Sequence, residues 1–444
     1  MSEKRKGHLG IVFLIVFLDM VGFSIIFPLF PDMLVHYLEI EGEQSWIGAI
    51  VRWLDTYAPG ESFGRITLFG GLLGSIYSIL QFVFAPIWGG ISDRYGRRST
   101  LIVTLSGTVL SYGLWIFAGS FSLLIGARIL GGIMAGNIST ASAVVADTTA
   151  PGDRAKGMGI IGMAIGLGFI FGPALGGLSY TYFPLGHGME WQTGIAINPF
   201  SVPAMVATLI GCFNLIWILK NFDETLTPEK RGPKRQHRTW NPFSRFQVLQ
   251  CPGLVRTNMV YFIYLIAFSA MEFTLVFLAA DRLGFGPTDN TWMFVFIGLM
   301  IAIVQGGIVR KLAPRLGERK TAMLGIFTML PGFLLVGSTD TTGQLYAGLG
   351  LLAAGSALAM PCLSALASHY TPPDAQGISQ GTFRSMGALA RAIGPALGGV
   401  LYWKLGSEVP YTGGAALMLI PFMLIATLPP PPHRTNQIQS SESS

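Results

Sequence analysis

Five ionisable residues stand inside long apolar stretches of this chain: Asp19, Arg128, Glu272, Arg384 and Arg391. A charge at the centre of a bilayer costs roughly 2.5–3.5 kcal/mol even on the most lenient scale, so such residues mark solute pathways and proton relays. Asp19 follows His8 by about 16 Å of helix, which puts it deep in the first stretch. A carboxylate there can take and release a proton, and an arginine beside it alters how tightly that proton is held. Asp19, Arg128 and Glu272 are therefore the candidates for proton coupling. A fixed Asp19–Arg128 ion pair, and a Glu272 that reaches out to the interface, are the plainer readings of the same residues. Arg384 and Arg391 are seven apart and share one face of a helix. Two cations on one face would attract an anionic solute, unless acids on neighbouring helices pair with them. With Asn137, they are the expected substrate-binding residues. The chain carries no nucleophile–base set, phosphate-binding loop or histidine cluster. Cys212, Cys251 and Cys362 are too scattered for a zinc site or a disulfide framework. No enzyme activity, cofactor or metal is expected.

These residues need elements to hold them. The chain has 444 residues, of which 51% are hydrophobic and 12% charged. A soluble domain carries about 25% charged residues, so most of this surface must face something other than water. A bilayer span needs about 20 apolar residues. That criterion gives twelve, near 9–35, 66–90, 100–118, 121–146, 157–183, 196–220, 254–280, 290–310, 320–338, 343–368, 377–403 and 409–428. The fold class is all-α, a polytopic membrane protein. The short gaps at 119–120 and 339–342 predict tight antiparallel pairs. With the N-terminus inside, inside segments hold 22 of the 29 Lys and Arg, against Arg52, Arg65, Arg282 and Lys404 outside. Both termini are therefore expected in the cytoplasm, with the chain in the plasma or inner membrane. The net charge of +6 then reads as topology rather than nucleic-acid binding. Lys4, Arg5 and Lys6 resemble the start of a signal peptide. The apolar run from Leu9 to Leu34 is far too long for one, and it carries Asp19.

Segment 221–252 is charged and proline-containing, and reads as a cytoplasmic linker between halves at 1–220 and 253–444. In the first outer loop, 36–65, Trp46, Ile47, Ile50, Trp53, Leu54 and Tyr57 recur at helical spacing. Either an interfacial helix or an ordered loop fits them. Trp115, Trp217, Trp292 and Trp403 fall near span ends, as an aromatic belt would. Phe and Met along the first, fourth, seventh and tenth spans are read as cavity lining or as core and lipid contact.

The sequence repeats itself. Gly172-Pro-Ala-Leu-Gly-Gly177 recurs as Gly394-Pro-Ala-Leu-Gly-Gly399, Pro151 and Asp153 recur as Pro372 and Asp374, and Gly96 and Arg98 recur as Gly317 and Arg319. Three matches at half the chain length predict two pseudo-symmetric six-helix bundles with a site between them near the midplane. Runs of glycine and proline let helices approach closely and bend.

Residues 89–98 read Gly-Gly-Ile-Ser-Asp-Arg-Tyr-Gly-Arg-Arg. They resemble the signature loop between the second and third helices of the major facilitator superfamily; a weaker copy from Gly307 to Lys320 lacks the Asp. Arg128, Gly131, Gly132 and Ala135 resemble the family's proton-antiporter motif, with Gly131 where a Gln is usual. Gly166, Gly168, Gly172, Pro173, Gly176 and Gly177 resemble the Gly-Pro motif of its antiporters. Leu18-Asp19, Gly22, Pro28 to Pro31 and Ala146-Asp147-Thr148-Thr149 resemble the tetracycline/proton antiporter group. The long first outer loop and Phe383 to Arg391 resemble its animal tetracycline transporter-like branch, which is linked to organic anion efflux.

The resemblance implies proton-coupled antiport that exports an amphipathic organic compound or drug by alternating access. The alternative is a facilitator or symporter for an organic anion or sugar on the same fold. A receptor or scaffold that had lost transport would not need its loop and membrane charges. The resemblance also implies a latch for the outward-open state: Asp93, Arg97 and Asp147 as a charge network, with Gly89, Arg94, Gly96 and Arg98 shaping the loop. Asp93 and Arg97 are one helical turn apart, and carboxylates there can cap the start of a facing helix, expected to be the eleventh span. The same loop would also serve as a plain positive-inside signal, although that needs no fixed Asp and Gly spacing. The expected partners are a small organic substrate, protons and the lipid bilayer, without nucleic acid, for a monomer.

Overall fold

The computed structural model describes residues 3–42, 44–57, 62–149, 154–183, 185, 194–226, 252–371 and 376–429. Among them there are helices and turns but no strands. The N-terminal set is α1 (Glu3–Ser24), α2 (Phe30–Glu41), α3 (Trp46–Tyr57), α4 (Ser62–Tyr95), α5 (Arg97–Ile116), α6 (Phe121–Met134), α7 (Asn137–Thr148), α8 (Arg154–Tyr182) and α9 (Ser201–Asn221). The C-terminal set is α10 (Pro252–Leu283), α11 (Pro287–Ile303), α12 (Arg310–Leu316), α13 (Glu318–Gly337), α14 (Thr342–His369), α15 (Gln376–Leu405) and α16 (Val409–Ala426). Eleven segments are long and apolar enough to cross a membrane. The twelfth span is α15, whose apolar run is diluted by Arg384, Arg391 and repeated glycines. Of the expected linker, residues 227–251 lie outside those described.

Two spans are broken where the sequence reading drew single helices. Pro28 and Pro31 withhold backbone donors, so the first span tightens into a 3₁₀ turn at Phe27–Leu29 between α1 and α2. The fourth span breaks at Ala135–Gly136 between α6 and α7. There Trp88 of α4 packs so closely that a Cβ on Gly136 would collide with it. Its indole Nε1 donates to the carbonyl of Ile133 at 2.7 Å. A neighbouring side chain thus satisfies a backbone group that the break frees. The eighth span runs through a π-helical turn, Val304–Val309, into α12.

The two sets repeat each other in detail. Gly96 starts α5 and Gly317 starts α13, with φ of 105° and 81°. Ser120 and Thr341 cap α6 and α14 through their hydroxyls. Arg98 donates to Leu219 O at the end of α9, and Arg319 donates to Ile425 O and Ala426 O at the end of α16. These arginines collect at one end of the bundle, the basic end.

The repeated Gly-Pro motif explains how the helices meet. Within each set its first and fifth glycines face a neighbour: Gly172 and Gly176 press on Ser24 and Ile25 of the first span, and Gly394 and Gly398 on Ser269 and Ala270 of α10. The sixth glycine crosses to the other set. Gly177 lies on Thr291 of α11, and Gly399 on Thr67 and Leu68 of α4. Both crossings lie toward the end opposite the basic one, where Thr181 of α8 and Thr288 of α11 also hydrogen-bond at 2.8 Å. The two sets are therefore closed on each other at this far end.

The helix over Trp46–Tyr57 is present as α3. Ile47 is buried, Ile50 packs inward and Trp53 is exposed. Trp46 is partly exposed and donates to Ser122 Oγ at 2.7 Å. Trp292 is exposed, as a belt residue should be, whereas Trp115 is buried at 1% exposure and belongs to the interior.

Candidate functional site

An open cavity lies between the two sets, about 690 Å³ when the part open to solvent is counted. The first span contributes Phe23, Phe27 and Phe30, α4 contributes Tyr77, α8 contributes Phe169, and α10 contributes Phe273. For Phe on the first and seventh spans the structure favours cavity lining over core or lipid contact; among the described residues the fourth span contributes Arg128 to this wall and the tenth contributes none. Three charged side chains share the cavity: Arg128 of α6, Glu272 of α10 and Arg391 of α15. The sequence placed these on three separate stretches, and the fold brings them to one space. Glu272 and Arg391 interact electrostatically. Phe23 and Tyr77 pack tilted by 33° with centroids 4.7 Å apart, and Phe23 meets Phe169 edge-on at 5.8 Å. The wall is aromatic with one more positive charge than negative.

Asp19 is not part of that wall. Its Oδ1 accepts from Asn137 Nδ2 at 2.7 Å. Thr104 Oγ1 of α5 lies 2.5 Å from Asn137 Oδ1. Asn137 is the first residue of α7, so the break at Ala135–Gly136 aims its amide at Asp19. The expected proximity of Asp19 and Arg128 is not an ion pair among the described residues. Tyr77 and Tyr112 lie within electrostatic range of both. Arg128 instead stacks over the Trp115 ring, its guanidinium carbon 4.8 Å from the centroid.

Two of the expected substrate-binding residues lie off the cavity. Asn137 is engaged with Asp19. Arg384 shares the face of Arg391 but sits two turns, about 10 Å, nearer the basic end, beside the stacked pair Tyr261–Phe383.

The loop between α4 and α5 is built as a charge network. Arg97 Nη1 donates to Asp93 Oδ1 at 2.6 Å, and its Nε donates to Asp147 Oδ2 at 2.9 Å. Its side chain is 6% exposed, which strengthens both bonds relative to surface pairs. Gly96 supplies the left-handed backbone that separates α4 from α5. Gly89 lets α4 approach Ser139 of α7. Arg94 stacks over Tyr95 at 5.2 Å. The expected cap on the eleventh span would fall at 376–378, whose side chains lie outside those described. The described contacts tie α4, α5 and α7 together, all in the N-terminal set.

Glu224 was missed, because it follows α9 at the head of a charged linker. Its carboxylate accepts from the backbone N–H of Arg97 and Arg98 at 2.9 and 3.2 Å, where α5 begins. The helix start offers just such unpaired donors and partial positive charge. In α8, Gly168 packs on Met20, and Pro173 stands inside the helix beside Gly172.

The family model for the Major Facilitator Superfamily matches residues 12–316 and 308–443. The bovine major facilitator superfamily domain-containing protein 10 is 36% identical over 95% of this chain and 93% of its own length. The class G tetracycline resistance protein of Vibrio anguillarum is 29% identical over 87% and 88%. The crystal structure of the human organic anion transporter MFSD10 (TETRAN) superposes with a TM-score of 0.77 at 34% identity, covering 96% of this chain and all of that one.

Proposed function

The chain belongs to the major facilitator superfamily, and from that premise we propose that it exports an amphipathic organic anion by alternating access, in exchange for protons. The observation that carries this is the cavity wall, where Arg128 and Arg391 outnumber Glu272 among six aromatic rings. Rings bind flat apolar bodies, and a desolvated arginine binds an acid group far more strongly than it does in water. The likeness to a human organic anion transporter supports the same substrate class. A sugar fits less well, because among the described residues this wall offers few neutral hydroxyls, those of Tyr77, Ser78 and Ser269.

Asp19 is the proposed proton carrier. Its carboxylate faces an amide that can bond it both with and without its proton. Glu272, which interacts with Arg391 on the cavity wall, is the second candidate carrier. We read the basic end as cytoplasmic from the distribution of Lys and Arg, with both termini on that side and the exporter in the plasma or inner membrane. The closed far end supports reading this state as one that admits solute from the cytoplasm. Asp93, Arg97 and Asp147 form the latch that engages when the basic end closes. One chain supplies the whole cavity, so a monomer suffices, with the halves at 1–220 and 253–444 rocking about the 221–252 linker.

The test is transport in inside-out proteoliposomes against a panel of anionic, neutral and cationic aromatic compounds. An acidic lumen should drive anions inward. Indifference to the imposed gradient would remove proton coupling, and a preference for cations would remove the anion reading.

A further inference from the structure

Beside the central cavity, inside the N-terminal set, lies a smaller one of about 250 Å³. Tyr77, Thr108, Ser111, Tyr112, Trp115 and Arg128 line it. The space left free among these side chains is on the order of one water molecule or monatomic ion, so it suits an ion rather than an organic solute. Two of its polar groups are free donors. Arg128 is 7% exposed, and its Nη2 is buried without a hydrogen-bond partner among the described residues. Trp115 is 1% exposed, and its Nε1–H is likewise without one. Thr108 and Ser111 turn their hydroxyl protons back to the carbonyls of Thr104 and Thr108. Tyr77 and Tyr112 add two more hydroxyls, and no carboxylate lines the space among the described residues.

A buried cation is retained when something compensates its charge. The Trp115 ring offsets only part of the cost for Arg128. Water would satisfy the free donors and leave the charge. We propose that this side cavity binds a halide-sized inorganic anion, chloride in the cell, between the Arg128 guanidinium and the Trp115 indole N–H. Arg128 also faces the central cavity, so the bound anion sets how much of its charge a solute there feels. That consequence rests on the transport reading; the binding does not.

The full chain in nanodiscs is titrated at constant ionic strength with chloride or bromide replacing gluconate, and its thermal stability is followed. Crystals grown in bromide are examined by anomalous scattering. Both halides should raise the melting temperature saturably where gluconate does not, and an anomalous peak should lie between Arg128 and Trp115. Trp115→Phe keeps the ring and deletes the donor, so the halide midpoint should rise on the order of tenfold. Equal melting in halide and gluconate, a site without a bromide peak, or an unmoved midpoint in Trp115→Phe would each overturn the proposal. If Trp115→Phe does not fold, the wild-type peak and titration decide alone. None of these readouts involves transport, so their failure leaves the proposed function standing.

Discussion

At the scale of single residues, the two acids and two arginines near the centre of the molecule do different work, and substitution separates them. Asp19→Asn keeps a side chain that can still bond Asn137, so the protein should fold and bind. It cannot release a proton. Gradient-driven transport is expected to fall by more than an order of magnitude, while exchange of labelled for unlabelled substrate across the membrane continues. Counterflow measured beside pH-driven uptake checks this; equal loss of both would mean that Asp19 holds the structure rather than the proton. Arg391→Ala removes a charge from the cavity wall. A charge-assisted hydrogen bond is worth about 1.5–3 kcal/mol, so the KM for anionic substrates should rise on the order of tenfold or more. Neutral substrates should be little affected, and a uniform loss across the panel would place Arg391 in packing instead.

At the scale of elements, the repeated Gly-Pro motif makes two kinds of contact, and its glycines should fail differently. Gly176 meets the Ile25 carbonyl within its own set. Overpacking of that kind costs about 1–3 kcal/mol, so Gly176→Val should lower Tm and folded yield. Gly177 meets Thr291 across the seam, so Gly177→Val should instead hold the far end apart. Spin labels near Thr181 and Thr288 would then report a longer distance at near-normal Tm. Glu224 closes the start of α5, and a carboxylate there contributes about 0.3–1 kcal/mol. Glu224→Gln should lower Tm by a few degrees at most and steepen no salt dependence elsewhere. Much of this was legible in the sequence, because a charge in an apolar run, a glycine-proline repeat and a Lys/Arg imbalance are visible one residue at a time. The seam partners were not, since nothing local says which glycine faces its own half. Nor were the cavity aromatics, because a Phe in a membrane helix reads the same whether it meets lipid, core or solute. The Asp19–Asn137 contact depends on a helix break inside a span read as continuous, and Trp115 mimicked a belt residue because its position near a span end hides which way it faces.

At the scale of the whole molecule, transport requires that the seam closed here should open. Thr181 and Thr288 mark its far edge, with hydroxyl oxygens 2.8 Å apart. Each lies one turn outward of the Gly177–Thr291 contact, so a rigid rotation that admits solute from the far side must separate them first. Thr181→Cys with Thr288→Cys, in a chain whose Cys212, Cys251 and Cys362 are replaced by Ser, should couple through a short bifunctional thiol reagent or a disulfide. Either single variant should not. Once coupled, the bundle can load substrate from the basic end but cannot release it at the other. Substrate binding should therefore survive while transport falls to background, and reduction of a disulfide should restore it. The same geometry sets the route of exchange: substrate present before coupling should still leave, and substrate added afterwards should still enter, by the basic side alone. Undiminished transport by the coupled protein would mean that the two sets do not part along α8 and α11, and that solute moves by another route.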